Sequence, residues 1–92
     1  MEKMYLVKVY ICDDYEYAED RLDIYKIDSL WRTRKAAEDY VNSFKSYKVF
    51  NRTRQFLRNV KTPSYRTAEV MNIGYGEHTY VHFDIEEMEV KG

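Results

Sequence analysis

The sequence predicts an α+β domain: an antiparallel sheet of about four strands with one or two helices packed on one face, in the order β-β-α-(α)-β-β. Three observations lead there. Runs rich in β-branched and aromatic residues open and close the chain, an apolar stripe of helical spacing follows Thr33, and 92 residues with three glycines and one proline fit one domain without a linker. A chain this short hides only about 60% of the surface its unfolded form exposes, so a deep enclosed active site is hard to build. Function is expected on the surface.

Met4 to Cys12 reads MYLVKVYIC, with Tyr5, Val7, Val9 and Ile11 on one pleat face and Lys8 on the other, which predicts a first strand. The acidic stretch from Asp13 to Asp20 has no apolar period and reads as a solvated loop. Arg21 to Ser29, with Leu22, Ile24 and Ile27, is long enough to return as an antiparallel second strand.

Thr33 is placed to cap a helix, because its hydroxyl can accept from a free amide of the next turn. Ala37, Tyr40, Val41 and Phe44 then form one stripe, while Arg34, Lys35, Glu38, Asp39 and Asn42 point elsewhere. A second helical pattern runs from about Val49 to Val60. There Val49, Thr53, Phe56, Leu57 and Val60 line one side, and Arg54, Arg58 and Lys61 fall on another at i, i+4 and i+7. Pro63 stops it, since the ring pushes Thr62 out of the helical region. Ser43 to Lys48 reads either as a bend between helices or as a continuation.

Thr67 to Gly74 supplies a third strand, and Gly74-Tyr75-Gly76-Glu77 can close a hairpin because glycine tolerates positive φ. Thr79 to Val90 places Val81, Phe83 and Ile85 on one face. Met88 and Val90 fall out of phase with them, which predicts a β-bulge near Glu86-Glu87.

The composition is 45% hydrophobic and 34% charged, which excludes collagen-like and disordered classes. No apolar run approaches the ~18 residues of a membrane span, and the amino terminus lacks a signal-peptide pattern, so no membrane association and a cytoplasmic setting are expected. Cys12, the single cysteine, sits in an apolar run and reads as an inert packed thiol. The net charge of −1 hides three blocks. Residues 1–31 carry four basic and eight acidic groups, for −4; residues 32–66 carry ten and two, for +8; residues 67–92 carry one and six, for −5. The middle block can present a basic face to phosphates or to a carboxylate-rich protein. Alternatively, its arginines pair with strand carboxylates and the field cancels.

No catalytic constellation emerges, and no cofactor is expected. His78 and His82 share a predicted strand face with Tyr80, Asp84 and Glu86, yet at i and i+4 on a strand they lie ~13 Å apart, too far to share one zinc. A solvent-facing polar row accounts for them. Asp13, Asp14, Glu16, Glu19 and Asp20 lack the spacing of a calcium loop. Gly74-x-Gly76 is too short for a phosphate fingerprint, and no nucleophile elbow, Walker loop or CxxC occurs. An enzyme is not expected.

Binding is. Arg52, Arg54, Arg58, Lys61 and Arg66, with Phe50, Phe56 and Tyr65 among them, mix cations with stacking groups, which suits either phosphates or a protein interface. Tyr15 and Tyr17 offer a second anchor, because tyrosine gives contact area at low rotamer cost. A free sheet edge can also pair two copies into a homodimer.

The tyrosine-rich first strand, the acidic loop, Thr33-Arg34-Lys35-Ala36-Ala37-Glu38-Asp39-Tyr40-Val41 and the closing Asp84-Ile85-Glu86-Glu87-Met88-Glu89-Val90 resemble small accessory proteins of tailed bacteriophages. The similarity covers about half the chain, and its motifs are structural. The resemblance implies a phage protein that acts in the host cytoplasm by binding and inhibiting a host enzyme or a defence component such as a CRISPR effector. It carries over no functional residue. The alternative from the residues alone is a module that binds nucleic acid or a signal nucleotide through the basic segment.

Overall fold

The computed structural model describes residues 2–13, 25–49, 51–70 and 79–91. Six strands and one helix follow one another as β1 (Lys3–Asp13), β2 (Lys26–Trp31), α1 (Arg34–Ser43), β3 (Ser46–Val49), β4 (Arg52–Val60), β5 (Arg66–Val70) and β6 (Thr79–Glu89). The strands form one antiparallel sheet in the order β2-β1-β6-β5-β4-β3, curled into a half-barrel with α1 on its inner face. The expected four-stranded sheet with one or two helices is therefore corrected to a mostly β architecture.

The correction lies in residues 46–60. Their apolar spacing also satisfies a pair of strands: Tyr47 and Val49 alternate with Ser46 and Lys48, and Arg54 and Phe56 alternate with Thr53 and Gln55. Asn51, at φ 68°, lets the chain reverse between Val49 and Arg52, which are paired. Asparagine tolerates this left-handed region better than most residues, and tight hairpins require it. β4 then shifts register against β5 between Phe56 and Arg58. The bulge sends Phe56 to the inner core and Val60, four residues later, to the outer cluster. Two residues that a helix would place on one stripe thus belong to opposite faces.

The first strand and the Thr33-capped helix stand as expected. Thr33 caps α1, its Oγ1 accepting from the Ala36 amide at 3.1 Å, and Ala37 and Val41 are fully buried. Val7 and Val9 of β1, Val81 and Phe83 of β6, Val70 and Val49 complete the inner core. Phe83 is its centre, with ring centroids 5.3 Å from Phe44, 5.5 Å from Tyr47 and 6.2 Å from Phe56. At the helix end, Arg66 Nη1 donates to the Val41 carbonyl at 2.6 Å, satisfying one of the acceptors a helix leaves open.

β6 carries no bulge. It pairs with β1 residue for residue from Lys3↔Glu89 to Asp13↔Thr79. Met88 and Val90 are out of phase because they belong to the outer face, not because the strand slips.

The curl brings the two edge strands together on the inner side. Asp28 of β2 accepts from Tyr47 Oη of β3 at 2.7 Å and from Tyr40 Oη of α1 at 2.6 Å, so one carboxylate ties both edges to the helix. Burial, and then the Asp28 carboxylate, push the Tyr40 hydroxyl up to about 12 and the Tyr47 hydroxyl higher still. Both remain donors at neutral pH.

Candidate functional site

The basic residues singled out in the sequence do not assemble as a helical stripe. Arg52 and Arg54 lie opposite Val49 and Tyr47 on β3, and so share the inner-face rows of those residues. Arg58 follows the bulge and lies opposite Glu69 on the outer face, where its Nε donates to Glu69 Oε2 at 2.8 Å. Lys61 is exposed in the connection beyond β4. Arg66 is held over the Phe56 ring at 5.0 Å and donates to Asn59 Oδ1 at 3.0 Å. Burial draws its guanidinium below the usual arginine range. The cations of the middle block are thus divided between two faces and a connection. Arg34 and Lys35 pair with Glu38 and Asp39 one helical turn on. Tyr15 and Tyr17 lie outside the described residues, as does His78.

The polar row predicted on β6 is largely covered. Tyr80 and His82 are buried, and Asp84 is half-buried. His82 stacks on Tyr10 at 5.7 Å, its Nδ1 lies 2.8 Å from Thr67 Oγ1, and its Nε2 lies 3.2 Å from Cys12 Sγ. Loss of solvent pushes the imidazole down to about 4, so it is neutral at pH 7 and carries one donor and one acceptor for these two partners. Cys12 is buried, as its apolar neighbours suggested. Thr67 continues the chain to Thr62, whose Oγ1 accepts from the Ser64 amide, and Ser64 Oγ contacts Tyr25 Oη at 3.1 Å. The network binds β1, β5 and β6 to the 61–65 connection and to Tyr25. Among the described residues no group of three or more His, Cys, Asp or Glu could hold a metal ion.

The surface feature the sequence reading missed lies at the other end of the outer face. β2 shifts register against β1 so that Val7 faces Ser29 and Lys8 faces Ile27, leaving Asp28 without a partner on β1. Asp28 and Ser29 both turn inward, and Ile27 and Leu30, three apart, therefore both turn outward. Leu30 lies opposite Leu6, and Met4 lies opposite Met88 on the same side. Val90 extends this row, its amide donating to the Glu2 carbonyl at 2.9 Å. Ile27 is 66% exposed, Leu30 56%, Met88 44% and Val90 38%. The patch ends at a Lys8–Glu86 ion pair of 3.1 Å, with Lys8 also 5.6 Å from the Tyr25 ring centre. Its signal was present in the sequence as the out-of-phase Met88 and Val90.

No helix among the described residues is long and apolar enough to cross a membrane. No family model, curated protein or solved structure matches this chain.

Proposed function

We propose that this domain is a non-enzymatic binding module that docks a protein partner on the outer end of β2, β1 and β6 and acts by occluding it. One observation carries the reading. Of the five exposed large apolar side chains among the described residues, four (Ile27, Leu30, Met88 and Val90) share this one end of one face. A contiguous apolar patch on a small monomer is characteristic of an interaction site, and methionine and leucine adapt readily to a partner's shape. The likeness to phage accessory proteins makes a bacterial host protein, a defence component included, the partner class to try first.

The alternative, a phosphate-binding face on the basic segment, has less support. It needs Arg52, Arg54, Arg58 and Lys61 on one side, and the β4 bulge separates Arg54 from Arg58. The test is capture from bacterial lysate by the immobilised domain and by an Ile27→Glu/Leu30→Glu variant. A protein retained by the first at ~0.3 M salt, where surface charge is screened within a few ångströms, and lost by the second supports the reading. Equal retention by both overturns it. So does salt-sensitive retardation of oligonucleotides that an Arg54→Glu/Arg58→Glu variant abolishes.

A further inference from the structure

We propose that the seam between β2 and β3 binds a small amphiphile: an anionic head group, carboxylate or phosphate, on an apolar body. A cavity of about 500 Å³ opens there. That lies within the ~300–1,000 Å³ of small-molecule sites, and the mouth of a β-barrel is a usual place for one. Its walls are the inward side chains Val9 and Ile11 of β1, the neighbouring Tyr10 and the Tyr47 ring. Its polar groups are few: Lys26 at the start of β2, Lys48 of β3 and Asn51 in the turn.

The charges select the ligand. Both lysines are exposed, and neither has an ion-pair partner among the described residues. No carboxylate of the described residues lines the cavity. Asp28, the carboxylate on β2, is turned to the Tyr40 and Tyr47 hydroxyls, which engage both its oxygens. Among the described residues two cations and no anion line this apolar cleft, which favours a negative head near the ammonium groups, with the lysine stems lying along the hydrocarbon of the ligand. The cleft is also preformed, because the same hydrogen bond to Asp28 that joins the edges fixes the orientation of the Tyr47 ring. Little ordering remains to oppose binding. The site lies on the opposite side of the sheet from the Leu30–Met88 patch and does not depend on the protein-docking reading.

The experiment titrates the full chain with decanoate, decyl phosphate, decylammonium and decanol, read by calorimetry and by amide chemical shifts of Val9, Ile11 and Asn51. At least one of the two anions is expected to saturate with a Kd below ~1 mM. The tighter of the two identifies the head group. Decanol and decylammonium should bind at least about tenfold more weakly, and a Lys26→Met/Lys48→Met variant should lose about tenfold or more for the anion. Lys26→Arg/Lys48→Arg should retain it. Failure of both anions to saturate, equal binding of the alcohol or the amine, or undiminished anion binding by a folded methionine variant each overturns the proposal.

Discussion

Removing the Tyr47 hydroxyl tests whether the two free edges of the curled sheet are held together by Asp28. Tyr47→Phe keeps the ring in the inner core beside Phe83 and deletes only the donor at 2.7 Å. A hydrogen bond to a charged group contributes ~1.5–3 kcal/mol, and the partial burial of Asp28 lets water replace the lost donor, so the low end, ~1.5 kcal/mol, applies. For a domain of 92 residues each kcal/mol moves Tm by ~4–8 °C, which gives a fall of ~6–12 °C. Tyr40→Phe, at 2.6 Å, should behave similarly. The double variant should depart from the sum, because both tyrosines share one acceptor. The pH dependence has a definite sign. Both hydroxyls titrate above their unfolded value near 10, Tyr40 at about 12, so their contribution is complete below pH 10 and is lost as pH rises through the folded values. Thermal melts at neutral and alkaline pH measure both effects. If Tyr47→Phe melts within ~2 °C of the parent, the seam is not held by this contact and the preformed cleft loses its basis.

Two further outcomes follow from the outer layer. His82 binds a proton in the unfolded chain near 6.5 but in the fold only at about 4, so the unfolded state holds more protons between those values and stability should fall as pH drops through this window, by up to ~3 kcal/mol. Asp84, whose carboxyl is raised by burial, acts in the opposite sense at the acid end, so the comparison that isolates His82 is urea unfolding of the parent and of His82→Gln at pH ~7 and ~4.5. A variant with the same acid loss as the parent would assign the effect to other groups. Arg58→Met removes the 2.8 Å contact to Glu69, which is only 4% exposed, while Arg58 itself is well solvated; the expected loss is ~1–2 kcal/mol in urea unfolding, with no loss of partner capture if docking uses the Leu30–Met88 patch.

The sequence made some elements legible because one period satisfied each of them. Tyr5, Val7, Val9 and Ile11 fit only a strand, and Ala37, Tyr40, Val41 and Phe44 with a Thr33 cap fit only a helix. Residues 46–60 satisfied both periods. Val49, Phe56 and Val60 recur at helical spacing, yet the bulge after Phe56 gives the same residues strand roles on two faces. What decides between them is a neighbour remote in sequence, since β4 takes its ladder bonds from β3 on one side and β5 on the other. Propensity cannot see that partner. The candidate site was legible in residue types more than in placement. The spacing of the arginines also fits one helical face, and a strand distributes them differently, while Ile27 looks like an ordinary strand position and Leu30 lies just beyond the strand expected to end at Ser29.

The two bulges also explain how a chain with three glycines sets its surfaces apart. In β4 the extra residue exchanges faces, so that Phe56 enters the inner core and Arg58 reaches Glu69 outside. In β2 it does the reverse: Asp28 and Ser29 stay inward together, and Ile27 and Leu30 come outward together. Asp28 is therefore the residue on which both proposed sites depend. Its unpaired backbone position creates the apolar pair on the outer face, and its carboxylate fixes the Tyr47 ring that walls the seam. Deleting residue 28 would return β2 to strict alternation with Ile27 and Leu30, then two apart, still both outward, and would remove the carboxylate, whereas Asp28→Asn would keep the bulge and weaken only the tyrosine contacts. Retention of partner capture in both variants would therefore assign docking to the outward apolar pair and not to the charge of residue 28, and loss of capture in a folded Asp28→Asn variant would refute that assignment.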